Sequence, residues 1–289
     1  MQHFAQQQQR VNPLIGMMRQ PKIYIRLPSK GKYWPSGSLS ISDNGEYPVY
    51  SMTARDELLL KTPDALLNGQ AVVEVLQSCV PNIINGWQTP QIDVDAILIA
   101  IRLATYGETM DTSITVKGCD ATYPVDLRQL LDQLISSLTW EEVVPLKDNM
   151  TAYIRPLNYK EIALASSESF ETQRILNMVN DKTIDEDRKL ELFKNSFAKL
   201  TAITLDTISS SIYKIETPSG TVDDPTFIRE FMQNCDREVF NKVKEKLDYL
   251  KEINTLKPIM VKATAEMVAA GVSEEIEVPI VFDPATFFG

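Results

Sequence analysis

The chain has 289 residues, carries a formal net charge of −10 and is 44% hydrophobic, so it can bury one large core or two smaller ones. It contains no run of about 18 apolar residues and no secretion-signal pattern at its start, which predicts a soluble protein that stays where it is made. Three scattered cysteines, Cys79, Cys119 and Cys235, are too few for a disulfide framework and indicate a reducing compartment.

Charge is unevenly distributed along the chain. The basic head, residues 1–42, contains six Lys or Arg and no Asp or Glu, and the remaining residues have a net charge of −16. This division predicts that the head docks onto phosphate or onto an acidic protein surface.

The first predicted elements are an arm and a small sheet. A glutamine run at 6–9 predicts a flexible arm over residues 1–18. Ile23, Ile25 and Leu27 alternate with polar residues, which predicts a half-buried strand ended by Pro28. The stretch PSKGKYWPSG then predicts turns, and a further strand follows toward Tyr50.

Helices and a hairpin are predicted next. Thr53 and Asp56 have the spacing of a capping box, which predicts that a helix begins there, and two further helices follow over residues 72–79 and 92–106. The stretch TSITVKGCDATYPVDL predicts a hairpin that turns at Gly118 and feeds another helix. Residues 138–155 predict a strand pair with Pro145 at an edge.

Beyond Asn158 the apolar spacing becomes helical. Two long helices are predicted, and the second begins at Asp224 and continues through Leu250. The fold class is therefore α+β and mostly helical, with a small β-sheet near the N-terminus and β-hairpins in the middle and at the C-terminus around a helical block. Four regions are predicted: a flexible arm (1–18), an N-terminal α+β domain (19–157), a helical domain (158–255) and a C-terminal strand segment (256–289).

Several kinds of chemistry find little support in the sequence. The stretch PSKGK lacks the second glycine and the following helix of a phosphate-binding loop. With one histidine, His3, and three distant cysteines, neither a metal site nor a cofactor nor a histidine-activated nucleophile is predicted. Paired acids could serve a hydrolase, but solvated faces or helix caps are the favoured interpretation of all five candidates. These candidates are Asp111, Glu141, Glu142, Asp223 and Asp224.

Aromatic residues interleave with the basic stretch at Tyr24, Tyr33 and Trp34. A platform for single-stranded nucleic acid shows this pattern. The same pattern is produced by a small sheet that turns aromatic residues inward and Lys and Arg outward, and we favour that interpretation.

Three stretches of the chain resemble a known family of phage proteins. NPLIGMMRQPKIYIRLPSKGKYWP, YPVYSMTARDELLLKTPDALLNGQAVVEVLQSCVPNI and DAILIAIRLATYG resemble the baseplate hub subunit family of T-even-type contractile-tailed bacteriophages. The likeness extends over roughly residues 12–157, is strongest over 19–107, and includes the ending FDPATFFG. Many relatives carry Cys-x-x-Cys pairs resembling a zinc ribbon at the two hairpins, whereas this chain keeps only Cys119 at the first and has Ala263 and Thr264 at the second.

The resemblance implies a non-enzymatic role in the virion tail baseplate, assembled in the host cytoplasm. Other baseplate or tail proteins are then the expected partners, and neither nucleic acid nor a small-molecule substrate is expected. A transient assembly chaperone, absent from the finished tail, is the alternative. In this interpretation the basic head is steered to an acidic neighbour and Tyr33 and Trp34 act as buried anchors. The predicted partner-docking residues are Arg19, Lys22, Arg26, Lys30, Lys32, Tyr33 and Trp34.

Overall fold

A computed structural model describes most of the chain: residues 17–62, 68–137, 139–179 and 185–280, together with Leu14, Ala65, Phe287 and Phe288. The predicted arm over residues 1–18 lies outside the described residues, apart from Leu14, Met17 and Met18. Among the described residues, no helix is long and apolar enough to cross a membrane.

The predicted N-terminal sheet is confirmed as a two-stranded antiparallel pair. Strand β1 (Pro21–Ile25) pairs with β2 (Tyr47–Tyr50), and Ile25 lies opposite Tyr47. Ile25 and Val49 are buried, because alternate side chains of each strand point to the same face of the sheet.

Four helices complete the first core: α1 (Ala54–Leu60), α2 (Gln70–Cys79), α3 (Gln91–Tyr106) and α4 (Leu127–Ser137). The capping box of α1 is confirmed, since Oγ1 of Thr53 accepts from the Asp56 amide and Oδ2 of Asp56 accepts from the Thr53 amide. Helix α3 is apolar around most of its circumference, so it is enclosed by the other elements on nearly every side.

The predicted hairpin between α3 and α4 is also confirmed. Strand β3 (Thr109–Val116) pairs along its whole length with β4 (Cys119–Asp126). Lys117 and Gly118 connect them, with φ angles of 50° and 80°. A two-residue turn with positive φ at both positions matches the twist of the flanking strands. Glycine suits the second position because it adopts a positive φ readily.

A four-stranded antiparallel sheet joins distant parts of the chain. It contains, in spatial order, β5 (Val143–Pro145), β6 (Thr151–Ile154), β7 (Ile212–Thr217) and β8 (Gly220–Val222). Strand β5 lies at the edge, so the predicted edge position of Pro145 is confirmed.

The helical block consists of α5 (Tyr159–Val179), α6 (Glu186–Ser211), α7 (Pro225–Asn234) and α8 (Arg237–Asn254). The start of α7 is as predicted, because Asp224 is its N-cap and accepts a hydrogen bond from the Thr226 amide. The single long helix predicted to follow is wrong. Cys235 and Asp236 are extended, and Asp236 becomes the N-cap of α8, a position that aspartate prefers to a helix interior.

The C-terminal strands fold back onto the hairpin in the middle of the chain. Strands β9 (Ile259–Lys262) and β10 (Glu275–Val278) form an antiparallel pair joined through α9 (Ala265–Ala269). Lys117 donates a 2.6 Å hydrogen bond to the carbonyl oxygen of Gly271, and Tyr123 lies 3.8 Å from the sulfur of Met267. The predicted α+β, mostly helical class is thus confirmed.

Two hydrophobic cores divide the described residues. The first contains β1, β2 and α1–α4, and also Leu256, Phe287 and Phe288 from the end of the chain. The second contains the four-stranded sheet, the end of α6, α7 and α8. Residues of β5 and β6 belong to this second core, and Trp140 packs against it. The division of the chain into domains, with a boundary after residue 157, stays a prediction.

Candidate docking surface

The seven predicted docking residues have different positions in the structure. Arg19 faces inward, where its guanidinium donates to the carbonyl oxygens of Ser51 at 2.6 Å and Ser78 at 2.5 Å. The same group lies 3.6 Å from the carboxylate of Asp56 and over the ring of Tyr50. Arg19 therefore joins β1 to the ends of β2 and α2, and its charge is already compensated within the chain.

Trp34 is a core residue of this chain. Its side chain is buried, and its indole Nε1 donates to Oδ2 of Asp93 at 2.7 Å. The same carboxylate accepts from the amide and hydroxyl of Ser29 at 2.8 and 2.5 Å. Burial raises the pKa of Asp93 to about 6, although these hydrogen bonds oppose the shift. Asp93 thereby fixes both ends of the turn that carries Lys30 and Lys32.

Lys32 and Tyr33 connect this turn to the four-stranded sheet. Glu142 accepts from the Lys32 ammonium at 2.5 Å and from the Tyr33 hydroxyl at 2.8 Å. Tyr213 of β7 donates to the second oxygen of the same carboxylate at 3.2 Å. Burial alone would raise the pKa of Glu142, but the bonds from Lys32 and Tyr33 outweigh it, and the pKa is lowered. These contacts hold the first core against the second.

The outer face of β1 carries the residues that remain available to a partner. Lys22, Tyr24 and Arg26 alternate with the inward residues of the strand, and all three are exposed. We call these three residues the basic strand face. Tyr24 is 62% exposed, and Arg26 makes a solvent-exposed ion pair with Glu46 at 3.1 Å. Lys30, at φ 55° in the following turn, is exposed as well.

Tyr24 is not among the predicted docking residues, although the alternation along the strand contains the signal for it. Residues 22 and 24 lie on one face of β1, and Arg26, directly after the end of the strand, continues the alternation, so the pattern that turns Lys22 and Arg26 outward also turns Tyr24 outward. An exposed tyrosine between two cations is suited to bind a surface of carboxylates and apolar atoms, because the ring supplies contact area and the cations supply attraction.

The acids considered for hydrolysis have structural partners or lie apart. Glu141 pairs with Lys246, and Glu142 takes part in the contacts with Lys32 and Tyr33. Asp224 caps α7, and Asp111 is exposed on β3. Among the residues that the structure describes, no three His, Cys, Asp or Glu side chains lie together in a way that could hold a metal ion.

Comparison with known proteins gives one result. A family described as "T4 bacteriophage base plate protein" matches residues 20–276, which include the basic strand face, all the helices given above and the hairpin of β3 and β4. No curated protein and no solved structure matches the chain. Because the match spans most of the sequence, the chain belongs to the T4 bacteriophage base plate protein family.

Proposed function

We propose that the protein is a non-enzymatic hub component of the baseplate, which holds neighbouring tail subunits together by protein–protein docking. Family membership supports a location in the baseplate. The exposed basic strand face is the observation on which the docking proposal depends. Lys22, Tyr24 and Arg26 form an exposed cationic patch on a chain whose net charge is −10. Such a patch steers association with an acidic neighbour.

The role is tested first by mass spectrometry of purified tails and of free assembly intermediates from the same infected cells. Stoichiometric presence of the chain in finished tails is the expected result. If the chain is found in the intermediates and is absent from the tails, it is a transient assembly chaperone and the hub proposal is wrong.

Docking is tested by reversing charge on the basic strand face. Lys22→Glu with Arg26→Glu should reduce the incorporation of the chain into tails, because both side chains then repel an acidic partner. Lys160→Glu with Lys257→Glu is the matched control, since it makes the same charge change at two exposed lysines outside the basic strand face. Equal incorporation of the two double variants would rule out docking through the basic strand face.

A further inference from the structure

A cavity of about 510 Å³ lies between the two cores, where α3 and α4 meet α5, α6 and α8. Apolar side chains form much of its wall: Ile92, Leu134, Trp140, Ile203, Ile208 and Leu247. It opens to solvent at Thr204 and Lys251, which are both exposed. Its volume is in the range of sites that bind ligands or peptide side chains.

The cavity continues as an apolar stripe along α6. Leu190, Phe193 and Phe197 lie on the same face of the helix as Thr204, because their spacings of three, four and seven residues repeat with the helical turn. The three apolar side chains are 54%, 53% and 64% exposed. Phe193 and Phe197 stack on each other with ring centroids 6.5 Å apart.

The packing of α6 on α5 leaves this stripe uncovered. The contact between the two helices contains small polar side chains, since Thr172 of α5 and Ser196 of α6 are both buried. Leu190, Phe193 and Phe197 of α6 are more than half exposed and so lie outside that contact. From Leu190 to Thr204 the stripe is about 21 Å long at the rise of an α-helix. Exposed apolar surface of this extent marks an interaction site.

One charge in the cavity lacks compensation. Asp95 of α3 is half-buried and lines the cavity, and among the described residues its carboxylate has no hydrogen-bond or ion-pair partner. Burial raises its pKa to about 6. A carboxylate in this position is stabilised by a cation that enters the cavity.

The other charged groups that line the cavity are already compensated or solvated. The guanidinium of Arg155 makes two hydrogen bonds to Glu161, at 2.7 and 3.0 Å. Lys244 donates to Asp248 at 2.6 Å, and Lys251 is exposed to solvent. Asp95 is thus the half-buried carboxylate of the cavity with which a cation of an occupant can pair.

We propose that the cavity and the apolar stripe form one groove, which binds an amphipathic α-helix of a neighbouring tail subunit. Aliphatic side chains of that helix, spaced by three and four residues, pack on Leu190, Phe193 and Phe197. One Lys or Arg of the helix enters the cavity and pairs with Asp95. A helix fits because the walls of the groove are helices, whose backbone groups are already paired and offer no edge to an added strand.

The inference depends on the proposed function, since the occupant is a tail subunit, and it is tested in assembling tails. The photo-crosslinking residue p-benzoylphenylalanine is introduced at position 197 in one variant and at position 227 in a control. Phe227 is 61% exposed and lies outside the groove. The expected result is a crosslink from position 197, and not from 227, to a helical segment of another tail subunit that contains Lys or Arg.

A second measurement tests the role of Asp95. Asp95→Asn should raise the Tm of the free protein by about 2–4 °C, because it removes an unpaired buried charge. It should also lower the yield of the crosslink from position 197 at least about tenfold, because it removes the partner of the entering cation. In the variant Asp95→Lys, replacing that Lys or Arg of the neighbour by Glu should restore the yield of the crosslink from position 197.

The outcomes of these experiments distinguish a failure of the groove proposal from a failure of the hub proposal. A crosslink to a second copy of this chain or to a non-helical segment, no crosslink from position 197, or an undiminished yield with Asp95→Asn would overturn the groove proposal. If the chain is present in finished tails but position 197 forms no crosslink, only this inference fails. If the chain is absent from finished tails, the hub proposal fails as well.

Discussion

The indole Nε1 of Trp34 lies 2.7 Å from Oδ2 of Asp93, and both side chains are buried. This pair joins the turn of the basic head to the first turn of α3 across 59 residues of sequence. Because Asp93 also binds Ser29, one carboxylate determines where Lys30 and Lys32 are presented.

Asp93→Asn should destabilise the protein by about 1–3 kcal/mol, because an amide in this position leaves one buried donor without an acceptor. Urea unfolding measures the loss, and Asp132→Asn, at an exposed position on α4, is the control. A free energy of unfolding equal to that of the control would show that the contacts of Asp93 add nothing to stability.

Trp34 and Tyr24 should respond in opposite ways to replacement by alanine. Trp34→Ala should cost about 3–5 kcal/mol of stability, because it empties a buried site. Tyr24→Ala should change stability by less than about 0.5 kcal/mol, since the ring is exposed, yet it should weaken partner binding at the basic strand face about tenfold or more. Unfolding curves measure stability, and incorporation into tails measures partner binding. A large loss of stability with Tyr24→Ala would contradict the assignment of Tyr24 to an exposed surface.

The stability gained by Asp95→Asn should depend on pH. The folded pKa of Asp95 is raised to about 6 from 3.8, so the folded state binds more protons than the unfolded state between those values. The contribution of Asp95 to the stability of the wild-type protein therefore falls as the pH rises from about 4 to about 6.

Asp95→Asn removes that dependence. The variant should match the wild type near pH 3.5 and exceed it by about 1–2 kcal/mol above pH 7, allowing for the partial exposure of the carboxylate. Denaturant unfolding at a series of pH values measures the difference. A constant difference between the two proteins over this range would show that the pKa of Asp95 is not raised by folding.

Phe193→Ser with Phe197→Ser should reduce incorporation of the chain into tails without unfolding the free protein. Both rings are more than half exposed, so their loss removes little buried area, and stability should change by less than about 1 kcal/mol. Quantification of the chain in purified tails and thermal unfolding of the free protein measure the two effects. Phe227→Ser is the control. If it had the same effect as the double variant, the stripe would have no special role.

Local sequence determined the parts of the fold that depend on neighbouring residues. The capping box at Thr53 and Asp56, the turn at Gly118, the edge position of Pro145 and the N-cap at Asp224 were all predicted correctly. Each depends on a backbone conformation or a hydrogen bond within a few residues, which the residue types themselves favour. The alternation that turns Lys22 and Arg26 outward is local in the same sense.

Tertiary structure decided which of the predicted docking residues are exposed. Arg19, Tyr33 and Trp34 are basic or aromatic, as the residues of an exposed docking patch would be. Each of them nevertheless binds a group that lies 32 or more residues away in sequence. The pairing of β6 with β7, which moves β5 and β6 into the second core, likewise depends on contacts between distant segments. Such contacts are selected by the packing of the whole chain, so local pattern cannot give them.

The groove shows the same division between sequence and structure. The spacing of Phe193 and Phe197 predicts an amphipathic helix, and by itself it favours burial of the apolar face. Only the packing of α5 and α6 through Thr172 and Ser196 shows that the face lies uncovered. Only the meeting of α3 with the helices of the second core places Asp95 in the cavity. Sequence determined the local elements and the excess of positive charge at the start of the chain, whereas the surfaces open to a partner depend on which long-range contacts bury the rest.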